Sequence, residues 1–370
     1  MTKKFFAMLA LVCIASTASA QTNKWFQDIK LSGYGMLQYQ ASDQDEKETN
    51  KFNLRLARLA LEGRAHDDFY WKIQMQVNGT TKDDNTAIRL VDLFGEWQKY
   101  EFFRVKVGQF KRPFTFENPM HPITQGFMSY SQNVTKLSGF SDRTGEHASN
   151  GRDIGLQIQG DFLKVNDRNL LHYQIGVFNG EGINTGDKDN RKDVIGGIWV
   201  SPIKGLRIGA FGWTGSCVIT YQEMGKVEMP LLGGYSLQIP VVVSEESQSV
   251  RKNRYALSAE YSQNDWTFRT EYIHSQGYGA KKEAGDKADG FYALGIVPLI
   301  KEKLHVKARY DLYRDRKEWS TSKTFYEIGA DYWFSKHIQL SMEYARVNDR
   351  SSSTIDQNYN MADVELNIKF

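Results

Sequence analysis

Asp363-Val364-Glu365-Leu366-Asn367-Ile368-Lys369-Phe370 alternates without a break: Val364, Leu366, Ile368 and Phe370 are apolar, and the residues between them are polar or charged. A two-residue period is that of a β-strand with one apolar and one polar face. A last strand of this kind, ending on an aromatic ring, suits a chain whose final strand seals a barrel. One face would then meet lipid and the other water.

The same period runs through the rest of the chain. Ile29, Leu31, Gly33, Gly35, Leu37 and Tyr39 form one face, with Lys30, Ser32, Gln38 and Gln40 on the other. Phe69, Trp71, Ile73, Met75 and Val77 alternate with polar residues, as do Phe103, Val105 and Val107, then Ile154, Leu156 and Ile158. Later runs include Tyr255–Tyr261, Leu304–Tyr313 and Tyr326–Phe334. The pattern predicts about sixteen strands and no helix beyond the N-terminal segment. One strand changes phase, from Phe52, Leu54 and Leu56 to Leu59 and Leu61. A β-bulge near Ala57 would reconcile the two halves and turn both Arg55 and Arg58 to the polar face.

Connections alternate in length. Ala65-His66-Asp67-Asp68, residues 201–205 and residues 334–337 are short and polar, whereas residues 42–51, 114–152, 180–192, 215–252 and 277–289 are long. Short turns on one rim and long loops on the other are a feature of outer-membrane barrels. In lipid every backbone N–H and C=O needs a protein partner, so strands span only as a closed barrel. Sixteen strands enclose a lumen too wide for side chains to fill, which accounts for the charged inward faces.

Residues 1–20 carry Lys3 and Lys4, an apolar run and the small residues Ser16-Thr17-Ala18-Ser19-Ala20. This is the order of a cleaved signal peptide, and the apolar run is too short to span a bilayer. The formal charge of +3 becomes +1 once Lys3 and Lys4 leave, so no strong field remains to draw nucleic acid. Only Cys217 remains after cleavage, which precludes an internal disulfide and gives it no role. Mean hydropathy is −0.53, and no apolar run reaches the length of a spanning helix. Aromatic residues make up 13% of the chain, enough for girdles at two membrane interfaces. Residues 21–370 read as one barrel domain in the outer membrane of a Gram-negative cell.

Arg104-Val105-Lys106-Val107-Gly108-Gln109-Phe110-Lys111-Arg112-Pro113-Phe114 resembles the hallmark of the phosphate-selective porin O and P family. Arg55–Gly63 precedes it, and Gly151–Leu156, Gly176–Gly180 and Lys192–Gly196 follow in the family's order. The resemblance implies a sixteen-stranded trimeric porin, with a loop folded inward after the Gly108-Gln109-Phe110 strand and a ladder of basic residues for anions. In this chain that constriction loop would be residues 114–152.

An anion path needs donors that replace the ion's water yet grip weakly enough to release it. The inward candidates are Arg55, Arg58, Arg64, Lys72, Arg104, Lys106, Arg269, Lys307 and Arg309, joined in the loop region by Lys111, Arg112, Lys136 and Arg143. The same faces carry Glu62, Asp92, Glu96, Asp153, Asp161, Glu260, Glu271, Asp311, Asp331 and Glu343. Balanced wall charge also describes a general diffusion or oligosaccharide porin. An outer-membrane barrel enzyme would need a nucleophile, base and orienting group at one spot, and none is singled out. Asp187–Asp193 has alternating acids but lacks the glycine and distal glutamate of a calcium loop, so no metal or cofactor is expected. The expected partners are small hydrophilic or anionic solutes, outer-membrane lipid, the barrel assembly machinery through Phe370, and two further copies of the chain.

Overall fold

The computed structural model describes residues 27–45, 47–78, 88–139, 150–166, 168–187, 189–230, 236–277, 287–351 and 357–370. The expected signal peptide and Arg143 lie outside the described residues, as does the side chain of Cys217.

Sixteen antiparallel strands form one closed barrel. They are β1 (Gln27–Ser42), β2 (Thr49–Ala65), β3 (Phe69–Gln76), β4 (Arg89–Tyr100), β5 (Phe103–Lys111), β6 (Arg152–Val165), β7 (Arg168–Phe178) and β8 (Asp193–Val200). The series continues with β9 (Leu206–Pro230), β10 (Ser236–Gln263), β11 (Trp266–Gln276), β12 (Lys287–Ile300), β13 (Leu304–Arg314), β14 (Ser322–Ser335), β15 (Ile338–Asp349) and β16 (Asn358–Lys369). Each strand pairs with its neighbours in sequence, and β1 pairs with β16 to close the sheet, from Tyr34 opposite Lys369 to Ser42 opposite Met361. Phe370 completes the seam: Gly33 N donates to Phe370 O at 3.1 Å, and Phe370 N donates to Gly33 O at 3.0 Å.

Burial is inverted relative to a water-soluble domain. Leu257 (56% exposed) and Ile328 (61%) stand on the outside, whereas Glu271 and Asp311 are fully buried within. Only a hydrocarbon surrounding makes that arrangement favourable, since the apolar outer band would be costly in water. The short connections share one rim and the longer ones the other, as the alternation of lengths predicts.

The bulge of β2 falls at Arg55: Met36 pairs with Leu56 and Leu37 with Leu54, leaving Arg55 between them. Asn78 fills the gap. Its Nδ2 donates to Leu54 O at 2.9 Å, and its Oδ1 accepts from Ala57 N at 3.0 Å. Leu56 consequently turns into the barrel, where it packs on the buried group of Tyr34, Met36 and Ile123. The sequence pattern alone groups Leu56 with the outward Phe52 and Leu54.

Two other expectations differ from the structure. Residues 215–230 and 236–252 are not an irregular loop: β9 and β10 continue as a paired ribbon far past the length of the other strands, from Leu206 opposite Tyr261 to Pro230 opposite Ser236. A short helix, α1 (Gln132–Leu137), also sits in the long connection after β5. Six residues are fewer than two turns and leave no readable helical period.

Candidate functional site: a basic passage beside an anchored loop

The connection from β5 to β6 does not extend outward. Its described part crosses the lumen and meets inward side chains of β10–β15, on the far side of the barrel from β5. Phe114 and Phe116 on this connection, with Val134 and Leu137 of α1, pack against Phe211, Trp213, Ala256 and Ile273 in the main buried apolar cluster. This gives the loop an apolar footing on an otherwise polar wall.

Charged wall residues then grip the loop's main chain. Glu271 accepts from the backbone N–H groups of Phe116 at 2.6 Å and Glu117 at 3.0 Å. Glu343 accepts from Met128 N at 2.8 Å, and Asp311 from Gln132 N at 2.8 Å. Basic side chains hold the carbonyls: Arg269 donates to Gln125 O at 2.9 Å, Lys307 to Gly126 O at 3.0 Å, Arg309 to Ser129 O at 2.8 Å and Arg254 to Leu137 O at 2.8 Å. Charge-assisted hydrogen bonds of this kind are among the stronger ones available. Within the loop, the buried Glu117 accepts from Ser131. Burial pushes the Glu117 carboxyl above its ordinary range, against the pull of Arg269 and Arg309.

Between the loop and the wall formed by β2, β3, β4, β6 and β14 lies a cavity of about 490 Å³. Among the described residues seven basic ones line it, Arg55, Arg58, Arg89, Lys111, Lys136, Arg152 and Lys323, and that described lining holds no Asp or Glu. Arg58 is held by neutral oxygens, with Nε 3.2 Å from Gln76 Oε1 and Nη1 3.1 Å from the Tyr34 hydroxyl. Lys111 donates to Asn118 O at 2.8 Å, Met120 O at 2.6 Å and the Tyr130 hydroxyl at 3.1 Å. Arg152, Arg55 and Lys323 each have a carboxylate behind them: Asp92 at 2.6 Å, Glu365 at 3.0 Å and Asp349 at 3.0 Å. Lys136, in the last turn of α1, is exposed in the cavity.

The sequence-derived candidates thus divide by position. Arg55, Arg58, Lys111 and Lys136 meet at the cavity, together with Arg89, Arg152 and Lys323, which the sequence reading did not select. Arg269, Lys307 and Arg309 are under the loop and anchor it. Arg309 also makes a two-pronged pair with Glu327 at 2.5 and 2.9 Å, and Arg269 pairs with Glu260 at 2.6 Å. Arg112 is buried away from the cavity, bonded to Asp153 at 2.9 Å and Gly139 O at 3.2 Å. Arg104 pairs with Asp161, Lys106 with Glu96 at 3.4 Å and Lys72 with Glu62 at 3.9 Å, all towards the short-turn rim. Arg64 caps the turn after β2 by donating to Asp67 O at 3.0 Å.

Two family models match the chain. The one described as phosphate-selective porin O and P covers residues 32–181, and the one described as Gram-negative porin covers residues 216–352. Solved structures share the fold at low identity. An OmpF of Salmonella typhi, in complex with daunomycin, is 14% identical with a TM-score of 0.62, over 95% of this chain and 99% of that one. An anion-selective porin from Comamonas acidovorans is 14% identical with a TM-score of 0.61, over 93% and 99%. A trimer form of the outer membrane protein OmpT of Vibrio cholerae is 12% identical with a TM-score of 0.54, over 92% and 99%. No curated protein sequence matches the chain.

A sixteen-stranded barrel, apolar outside and charged within, is thereby matched to porins along most of its length: the protein is a porin, a channel through which small hydrophilic solutes diffuse across the outer membrane. Within that class, residues 32–181 are similar to the phosphate-selective porins O and P, and residues 216–352 to the Gram-negative porins.

Proposed function

We propose that this porin prefers anions and that the passage between the inward loop and the β2–β6 wall is its selective constriction. The observation that carries this is the cavity lining, which among the described residues holds seven cationic side chains and no carboxylate. A passing anion exchanges part of its water for guanidinium and ammonium donors, while spacing the charges over several residues keeps each grip weak. No chemical step is involved. The cleaved signal peptide, insertion by the barrel assembly machinery through the strand ending at Phe370, contact with lipid and a homotrimer complete the proposal.

The test is the zero-current potential of the reconstituted protein in a planar bilayer across a KCl gradient. Chloride should permeate faster than potassium. Replacing Arg58 or Lys136 by Gln should lower the ratio about two- to fivefold each, the scale of one unit charge a few ångströms from an ion in high dielectric. A channel without anion preference would end this reading.

A general diffusion porin is favoured by one observation: Arg104, Lys106 and Lys72 all face carboxylates, so each of these three cations has its charge offset by a neighbour. The variant Arg104→Ala with Lys106→Ala separates the two halves. An unchanged anion-to-cation ratio assigns selectivity to the cavity, and a collapsed ratio assigns it to the lower wall.

A further inference from the structure

The cavity is not lined by charge alone. Leu56, Pro122, Tyr130 and Phe325 share its surface with the seven cations. Leu56 is there because the bulge at Arg55 turns it inward, and it continues into the apolar group of Tyr34, Met36 and Ile123. Phe325 borders a second apolar group formed by Ala345, Val347 and Tyr359. Lys323 lies over both the Phe325 and Tyr359 rings, 5.5 and 5.3 Å from their centroids, so charge and aromatic surface are interleaved there. A cavity of about 490 Å³ falls within the range of pockets that hold organic ligands, roughly 300–1,000 Å³.

Inorganic phosphate has no surface that gains from Leu56, Pro122 or Phe325. It loses water beside them and receives nothing in exchange. An organic anion meets both parts of the lining: its carboxylates reach the cations, and its carbon skeleton lies on the apolar strip, where burial is favourable. We propose that the constriction takes organic polycarboxylates with an apolar body in preference to inorganic phosphate. This rests on the anion-preferring reading above and adds the chemical class of the solute.

The experiment compares two divalent anions as blockers of the chloride current through single channels: benzene-1,3-dicarboxylate, and phosphate at a pH where it is mostly dianionic. The dicarboxylate should block at a concentration roughly tenfold lower, the ratio expected from burying a modest apolar area at the usual coefficient. In Leu56→Ser with Phe325→Ser the two blockers should come within about twofold of each other. Equal block of the wild-type channel, or stronger block by phosphate, would overturn the proposal even with the chloride preference intact. An advantage for the dicarboxylate that survives in the double variant would overturn the assignment to the apolar strip. Loss of chloride preference in the wild type would instead strike the anion reading on which the proposal stands. The wild-type comparison decides even if the double variant inserts poorly.

Discussion

Replacing Lys307 by Met should loosen the middle of the inward loop. The ammonium of Lys307 is almost fully enclosed and makes four short contacts: Glu343 at 2.6 Å, Asp331 at 2.7 Å, Ser341 Oγ at 2.9 Å and Gly126 O at 3.0 Å. Methionine fills the stem's volume but leaves two carboxylates enclosed together without a cation. Removing one partner of a buried ion pair costs about 3–5 kcal/mol, most of it from the stranded charge. At about 1.4 kcal/mol per tenfold change, local opening of the loop near Gly126 rises by at least a hundredfold. The bonds from Arg269 to Gln125 O and from Arg309 to Ser129 O flank the lesion, so release is confined to a short segment. Single-channel recordings should show a noisy open level with larger mean conductance, and hydrogen exchange at Met128 N should accelerate to match. Adding Asp331→Asn and Glu343→Gln should restore much of the quiet behaviour, because the stranded charges disappear with the cation. A quiet channel of wild-type conductance, with exchange at Met128 unchanged, would refute the anchoring role of Lys307.

Three further outcomes are expected. Asn78→Ala removes the side chain that fills the Arg55 bulge; it should cost about 1–3 kcal/mol in urea unfolding, with unchanged stability arguing against the bulge as a specified feature. Gly108→Val should prevent folding or lower the heat-modification temperature on gels by many degrees. Its φ is +130°, and a Cβ there would lie 2.2 Å from Leu93 O, so a wild-type melting point would contradict the local geometry. Gly33→Val should weaken closure of the β1–β16 seam, since an added Cβ meets the Phe370 ring at 2.6 Å; slower appearance of the compact gel band during refolding is the readout.

The barrel was legible because alternation is a local signal, repeated in strand after strand. The two-sided difference in connections was equally plain, and so was the phase change that the bulge at Arg55 resolves. Alternation assigns a side chain to the inner face but not to a height or an angle around the axis. Arg104 and Arg309 therefore looked equivalent in sequence, yet one stands near the short-turn rim and the other lies under the loop. Arg89, Arg152 and Lys323 were missed for a related reason. Each sits within a residue or two of a strand end, where parity is hardest to fix. Leu56 was assigned to lipid because one extra residue in the strand reverses every direction beyond it. The β9–β10 ribbon reads as a loop in sequence because glycines and prolines interrupt its alternation.

The wall holds the inward segment chiefly by its amide hydrogens and carbonyl oxygens, at Phe116, Glu117, Gln125, Gly126, Met128, Ser129 and Gln132. Every amino acid carries a carbonyl, and all but proline an amide hydrogen, so the tether reads the path of the polypeptide and hardly its lettering. Substituents that point to the water-filled side can drift by mutation while the scaffold that presents them stays put. A pore built this way can change its clientele in few evolutionary steps.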